Sequence, residues 1–114
     1  MKNKPELIID KDGNKRWRLN GQTHREDGPA VEWISGHKEW WLNGKWHRED
    51  GPAIEWTNYK VWYLNGKIHR IDGPAIEHTN GKKQWFLNGK RVKEEDVIVY
   101  NVTEREYIKF VISL

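Results

Sequence analysis

Between Leu7 and Val92 the chain is a succession of short runs in which large apolar and polar side chains alternate, each closing on Leu-Asn-Gly and resuming beyond it. Lys-Arg-Trp-Arg-Leu at 15–19 is followed by Asn20-Gly21, and Trp-Trp-Leu at 40–42 by Asn43-Gly44. Asn-Gly between alternating runs is the strongest short signal for a two-residue hairpin, because both central residues of a type I′ turn need positive φ. Four such turns, at Leu19, Leu42, Leu64 and Leu87, are spaced by 23, 22 and 23 residues. Each is preceded by a tryptophan two positions before the leucine, at Trp17, Trp40, Trp62 and Trp85. Three are followed by His-Arg-x-Asp-Gly-Pro-Ala-x-Glu, beginning at His24, His47 and His69. Ala-Ile-Glu-Trp at 53–56 alternates as a strand does, and Thr57-Asn58 or Asn80-Gly81 turns the chain into the next unit.

A period in this range implies stacked units that cover one another's edges. The pattern divides the chain into an array over 1–92, with a half repeat at 5–20, repeats at 20–42, 43–64 and 65–87, and a partial copy at 88–92. In that last copy Val92 stands where histidine is due. The segment 93–114 is different material, because ten of the 23 residues from Val92 to Leu114 are Val, Ile, Leu or Phe. Thr103-Glu104-Arg105-Glu106 reads as a capping box, with Val102 and Tyr107 placed as a hydrophobic staple. The expectation is a carboxy-terminal cap: a short element near 94–100, then a helix at about 103–112. A dimerisation element in the same tail is the competing reading.

Trp-x-Asn-Gly-Lys-x-His at Trp41 to His47, a later glycine and a return turn after about 23 residues resemble the MORN repeat. That family lays β-hairpins side by side in an elongated, twisted antiparallel sheet. The His-Arg-Glu-Asp-Gly-Pro-Ala form is similar to a variant found in phage, large-virus and bacterial proteins, and the period is similar to that of YwqK-type antitoxins. The resemblance covers about residues 5 to 92 and implies a mainly β single-layer fold. The usual MORN unit has Gly-x-Gly where Asp-Gly-Pro-Ala stands here, so the lipid binding suggested for that family transfers poorly.

Composition narrows the function classes. Ile, Leu, Val and Phe make up only 25 of the 114 residues, close to the level at which chains stay disordered, but there are eight tryptophans. The expectation is a fold held by aromatic plates. The chain has no cysteine, which excludes disulfides, thiolate nucleophiles and Cys-ligated zinc, and agrees with a cytoplasmic location. A net charge of +3, from 20 basic and 17 acidic side chains intermixed along the chain, permits nucleic acid as a partner without arguing for it. No apolar run approaches a membrane span.

His-Arg-Glu-Asp has the ingredients of an active site: a base, a cation and a carboxylate. Its threefold recurrence favours structure, since every unit of an array meets the same packing problem whereas chemistry needs one site. His24, Asp27, His47, Asp50, His69 and Asp72 are therefore read as a structural motif, with the histidine against a tryptophan, the arginine paired with an acid and the aspartate accepting backbone N–H groups. Glu26 and Glu49 become Ile71 in the third copy, so that acid is dispensable to the unit. Equivalent histidines two strand spacings apart, about 10 Å, cannot share one metal ion. Neither Ser35 nor Ser113 sits in a nucleophile elbow, and no phosphate-binding Gly-Lys-Ser/Thr loop occurs. No enzyme, cofactor or metal is expected.

Two-residue turns fix register, setting Leu42 opposite Lys45, Trp41 opposite Trp46 and Trp40 opposite His47. One face then recurs in every unit, with Trp17, Trp40, Trp62, Trp85 and their leucines, and is expected to be the packed one. The other changes from unit to unit: Arg18 with Thr23, Trp41 with Trp46, Tyr63 with Ile68, Phe86 with Arg91. A single-layer sheet leaves this second face as an exposed aromatic stripe suited to a protein partner, whereas a curled sheet makes it a second core. The leading expectation is a non-enzymatic protein-binding module, concretely a phage- or bacteria-encoded inhibitor or antitoxin. Trp41, Trp46, Tyr63, Ile68, Phe86, Arg18 and Arg91 are its candidate contacts. The alternative is a binder of single-stranded nucleic acid or nucleotide that stacks bases on the stripe and meets phosphates with Arg18, Arg91, Lys82 and Lys83.

Overall fold

In all four Leu-Asn-Gly turns both central residues have positive φ, 49–51° at Asn20, Asn43, Asn65 and Asn88 and 76–83° at the following glycines. That is the backbone a type I′ turn demands, and it reverses the chain without splaying the strands. The computed structural model describes residues 3–98 and 100. Its strands are β1 (Glu6–Ile9), β2 (Lys15–Leu19), β3 (Gln22–Thr23), β4 (Val31–Glu32), β5 (Lys38–Glu39), β6 (Trp41–Leu42), β7 (Lys45–Trp46), β8 (Ile54–Glu55), β9 (Tyr59–Val61), β10 (Tyr63–Leu64), β11 (Lys67–Ile68), β12 (Ile76–His78), β13 (Lys83–Leu87) and β14 (Lys90–Val92). All pairings are antiparallel, and the main sheet is open, running from β1 at one edge to β14 at the other. The register is the one the turns dictate, with Trp41 opposite Trp46, Tyr63 opposite Ile68, Phe86 opposite Arg91 and Arg18 opposite Thr23.

Each unit contains two hairpins that share a strand. In the first and last units this strand is unbroken (β2, β13), and in the middle units it divides at Trp40 and Trp62 into β5–β6 and β9–β10. Its first half pairs in the main sheet. Its second half forms the Asn-Gly hairpin, which bonds to the hairpin before it through Gly44 N–H to Thr23 O, Gly66 N–H to Trp46 O and Gly89 N–H to Ile68 O, at 2.8–3.0 Å. The opposite hairpins close mostly with three-residue loops ending in a positive-φ glycine, at Gly13, Gly36 and Gly81. Trp56 to Tyr59 closes with only Thr57 and Asn58 between, which accounts for the single 22-residue spacing.

Alternation along the strands sorts the side chains into two faces. On one, directly opposed residues run Ile8, Arg16, Val31, Glu39, Ile54, Val61, Ile76, Gln84. On the other they run Lys15, Glu32, Lys38, Glu55, Lys60, Glu77, Lys83, an unbroken alternation of opposite charge across seven strands. Opposed pairs of this kind stabilise a sheet by roughly 0.2–1 kcal/mol each.

The buried aliphatics Val31, Ile54 and Val61 lie on the first face, which carries the variable aromatics. The recurrent tryptophan face, expected to be the packed one, also carries the charge row and the arginines, so burial is shared between the two faces. Among the described residues no large side chain is fully enclosed, and those with no exposure at all are Ala30, Ala53 and Ala75. These alanines sit where units meet, their carbonyls accepting from Trp17, Trp40 and Trp62 N–H at 2.7–2.8 Å. The tryptophans thus act as half-exposed covers rather than as a sealed core. After β14 a short helix occupies 94–98, with Val97 buried and Lys93 N–H donating to Asp96 Oδ2 at 3.1 Å. The expected helix at 103–112 lies outside the described residues. Among the described residues no helix is long and apolar enough to cross a membrane.

Candidate functional site

The recurrent motif is a clasp between units. Asn43 N–H donates to His24 Nδ1, Asn65 N–H to His47 Nδ1 and Asn88 N–H to His69 Nδ1, each at 2.9 Å. The imidazole of one unit thereby satisfies the amide at the tip of the next unit's turn, a group with no partner inside its own hairpin. This geometry requires a lone pair on Nδ1 and puts the proton of the neutral ring on Nε2. Nε2 faces Glu26 at 3.6 Å from His24 and Glu49 at 3.5 Å from His47. Ile71 takes the acid's place beside His69, whose pKa burial lowers.

Arginine, not the motif histidine, is the plate over Trp17, Trp40 and Trp62. Arg25, Arg48 and Arg70 lie 3.9, 3.7 and 3.9 Å from the ring centroids of Trp17, Trp40 and Trp62. Each guanidinium also donates through Nε to Asp27, Asp50 or Asp72 at 2.8–3.1 Å and through Nη1 to the carbonyl of Pro29, Pro52 or Pro74 at 3.1 Å. The aspartates therefore serve the arginine rather than backbone N–H groups. Arg48 and Arg70 reach further, to Glu55 at 3.1 Å and Glu77 at 3.2 Å in the charge row. The glycine of Asp-Gly-Pro makes room for this: a Cβ on Gly28, Gly51 or Gly73 would stand 3.1, 2.9 or 2.8 Å from the arginine Cζ.

The variable face is where units differ. The position before each repeat tryptophan is Arg16, Glu39, Val61 and Gln84 in turn. Glu39, 8% exposed, accepts three indole N–H groups: Oε1 from Trp41 at 3.2 Å and Trp46 at 3.0 Å, Oε2 from Trp33 at 2.9 Å. One carboxylate thereby fixes three rings. Trp46 packs between Trp41 and Tyr63, with centroids 4.7 and 5.0 Å away. A second row flanks the aliphatics on the other side, with His37 stacked on Trp56 at 4.5 Å, Trp56 near Tyr59 at 5.4 Å and Tyr59 near His78 at 6.0 Å. In that unit Val61 replaces Glu39 and offers no acceptor, and Trp56 Nε1 is buried without a partner.

Trp41, Trp46, Tyr63, Ile68 and Phe86 are half-buried, and Arg18 and Arg91 are exposed. Burial raises the Tyr63 phenol's pKa, with a smaller contribution from Tyr59. Arg18 Nη2 donates to Gly21 O at 2.6 Å. On this face Val31, Ile54 and Val61 are buried while the aromatic residues keep part of their surface exposed. Sequence reasoning missed Glu39, which occurs once. It also passed over the charge row, whose signal is a lysine two residues before every repeat tryptophan and a glutamate two residues after Ala30, Ala53 and Ala75. No protein-family model, curated protein or solved structure matches this chain.

Proposed function

We propose that the chain is a non-enzymatic module whose variable face binds a protein partner, with Trp41, Trp46, Tyr63, Ile68 and Phe86 as apolar contacts and Arg18 and Arg91 at the ends. The carrying observation is the anchoring of Trp33, Trp41 and Trp46 on Glu39. Rings already held in one orientation lose little entropy on binding, and Trp, Tyr and Arg dominate interface hot spots. The MORN-like resemblance supports a concrete version, a phage- or bacteria-encoded inhibitor or antitoxin that works by occupying a surface. Nucleic-acid binding is the weaker reading, because a carboxylate lies at the centre of the aromatic patch and the indole edges turn toward it. Capture from bacterial lysate with the native chain and with Phe86→Ala/Arg91→Glu tests the proposal. One stoichiometric protein lost with the double variant supports it. Salt-sensitive retention of nucleic acid, or capture unaffected by the variant, counts against it.

A further inference from the structure

We propose that the β1 edge is a self-pairing surface on which a second copy of this chain docks, joining two sheets into one. β1 ends the sheet order, with β2 as its one neighbour among the described residues. Its aliphatic residues are exposed, Leu7 by 46%, Ile8 by 45% and Ile9 by 56%. Free edges are usually blunted by charge, proline or a bulge. The opposite edge follows that rule, with Lys90 and Arg91 on β14 and a helical turn at 94–98. β1 has Pro5 and Glu6 at its start, but its aliphatic stretch from Leu7 to Ile9 carries no such device.

The backbone fixes how a copy would pair. Asp10 N–H donates to Asn14 O, making that a hydrogen-bonded pair of the β1–β2 ladder. Alternation then directs the amides and carbonyls of Ile8 toward β2 and those of Leu7 and Ile9 outward. A two-fold axis perpendicular to the sheet keeps like faces together, so odd-numbered residues must meet odd-numbered ones. Placing Ile8 opposite Ile8 puts Leu7 opposite Ile9 twice, forms four backbone hydrogen bonds and matches every aliphatic residue. Asp10 meets Glu6, but the Asp10 carboxylate is engaged by Asp12 N–H, Asn14 N–H and Asn14 Nδ2 at 2.9–3.1 Å. Centring on Leu7 would instead set Pro5, which has no N–H, opposite Ile9.

So short a strand buries less than the roughly 1,200 Å² of a stable standard interface, so the pairing is weak and concentration-dependent. It leaves both aromatic faces on the same side of the joined sheet, the geometry for bivalent contact with a partner.

The test uses the whole chain, which contains no cysteine. At a non-hydrogen-bonded antiparallel pair the Cα atoms lie about 4.5 Å apart, within disulfide range. Ile8→Cys is therefore expected to form a covalent dimer at least ten-fold faster than Ile34→Cys, a control at a more exposed site off the strand. In sedimentation over a micromolar-to-millimolar series, native chain shows a monomer–dimer equilibrium that Ile8→Lys weakens at least ten-fold with an unchanged circular dichroism spectrum. Monomer throughout the series, equal cross-linking at the two cysteines, or a dimer undiminished by Ile8→Lys overturns the proposal.

Discussion

Replacing Glu39 by valine, the residue at the equivalent place in the next unit, removes three acceptor contacts while keeping a residue that favours a strand. A hydrogen bond to a charged group contributes about 1.5–3 kcal/mol, and a half-buried donor stranded without a partner costs about 1–3 kcal/mol. Trp33 is 36% exposed, so water replaces its bond, whereas Trp41 and Trp46 are half-buried and less easily compensated. Against this, removing a carboxylate from an 8% exposed position relieves its desolvation, and valine adds about 1 kcal/mol of apolar burial. The balance is a loss of about 2–4 kcal/mol. Glu39→Gln keeps one oxygen for Trp41 and Trp46 and turns an amide toward Trp33, for a loss of about 1–2 kcal/mol. Urea unfolding followed by tryptophan emission and near-ultraviolet circular dichroism reads both quantities. Glu39→Val unfolding within about 0.5 kcal/mol of the native chain, or Glu39→Gln proving the more harmful of the two, would show that Glu39 does not anchor these rings.

Other consequences follow from the clasp. His47→Leu strands the Asn65 amide and is expected to cost about 1–2 kcal/mol, whereas His47→Asn, whose Oδ1 stands near the place of Nδ1, recovers most of it in the same urea titration. Because burial lowers the His69 pKa, the fold prefers the neutral ring: its contribution is complete above about pH 6.5 and declines as pH falls through that value toward the lower folded pKa. Unfolding free energy should therefore drop between pH 7.5 and 5.5, and His69→Asn should flatten that drop. Gly51→Ala places a Cβ 2.9 Å from Arg48 Cζ and pushes the guanidinium off Trp40, with an expected loss of about 1–2 kcal/mol in thermal unfolding and a smaller one in an Arg48→Ala background.

The turns, the register and the number of units were legible in the sequence because Asn-Gly admits few backbone solutions and a two-residue turn leaves no freedom in pairing. How burial would be shared between the two faces was not. Alternation divides residues into two sets but does not rank them, and the decision rests on lysines and glutamates that claim one face and on alanines small enough to lie under the junctions. His47 and Arg48 are neighbours in sequence and both can lie flat on a ring, so only the backbone leaving β7 decides that the arginine covers Trp40 while the imidazole reaches the next turn. Glu39 left no periodic trace because its value lies in breaking the period.

Each motif histidine clasps the turn of the following unit through its Nδ1. Amide exchange at Asn43, Asn65 and Asn88, followed by nuclear magnetic resonance across the histidine titration range, tests it most directly. The three turn-tip amides are expected to be protected like strand amides at neutral pH, with Asn88 losing protection as pH falls and His69 gains its proton. Exchange at the rate of open loops, or protection at Asn88 that ignores the state of His69, would contradict it.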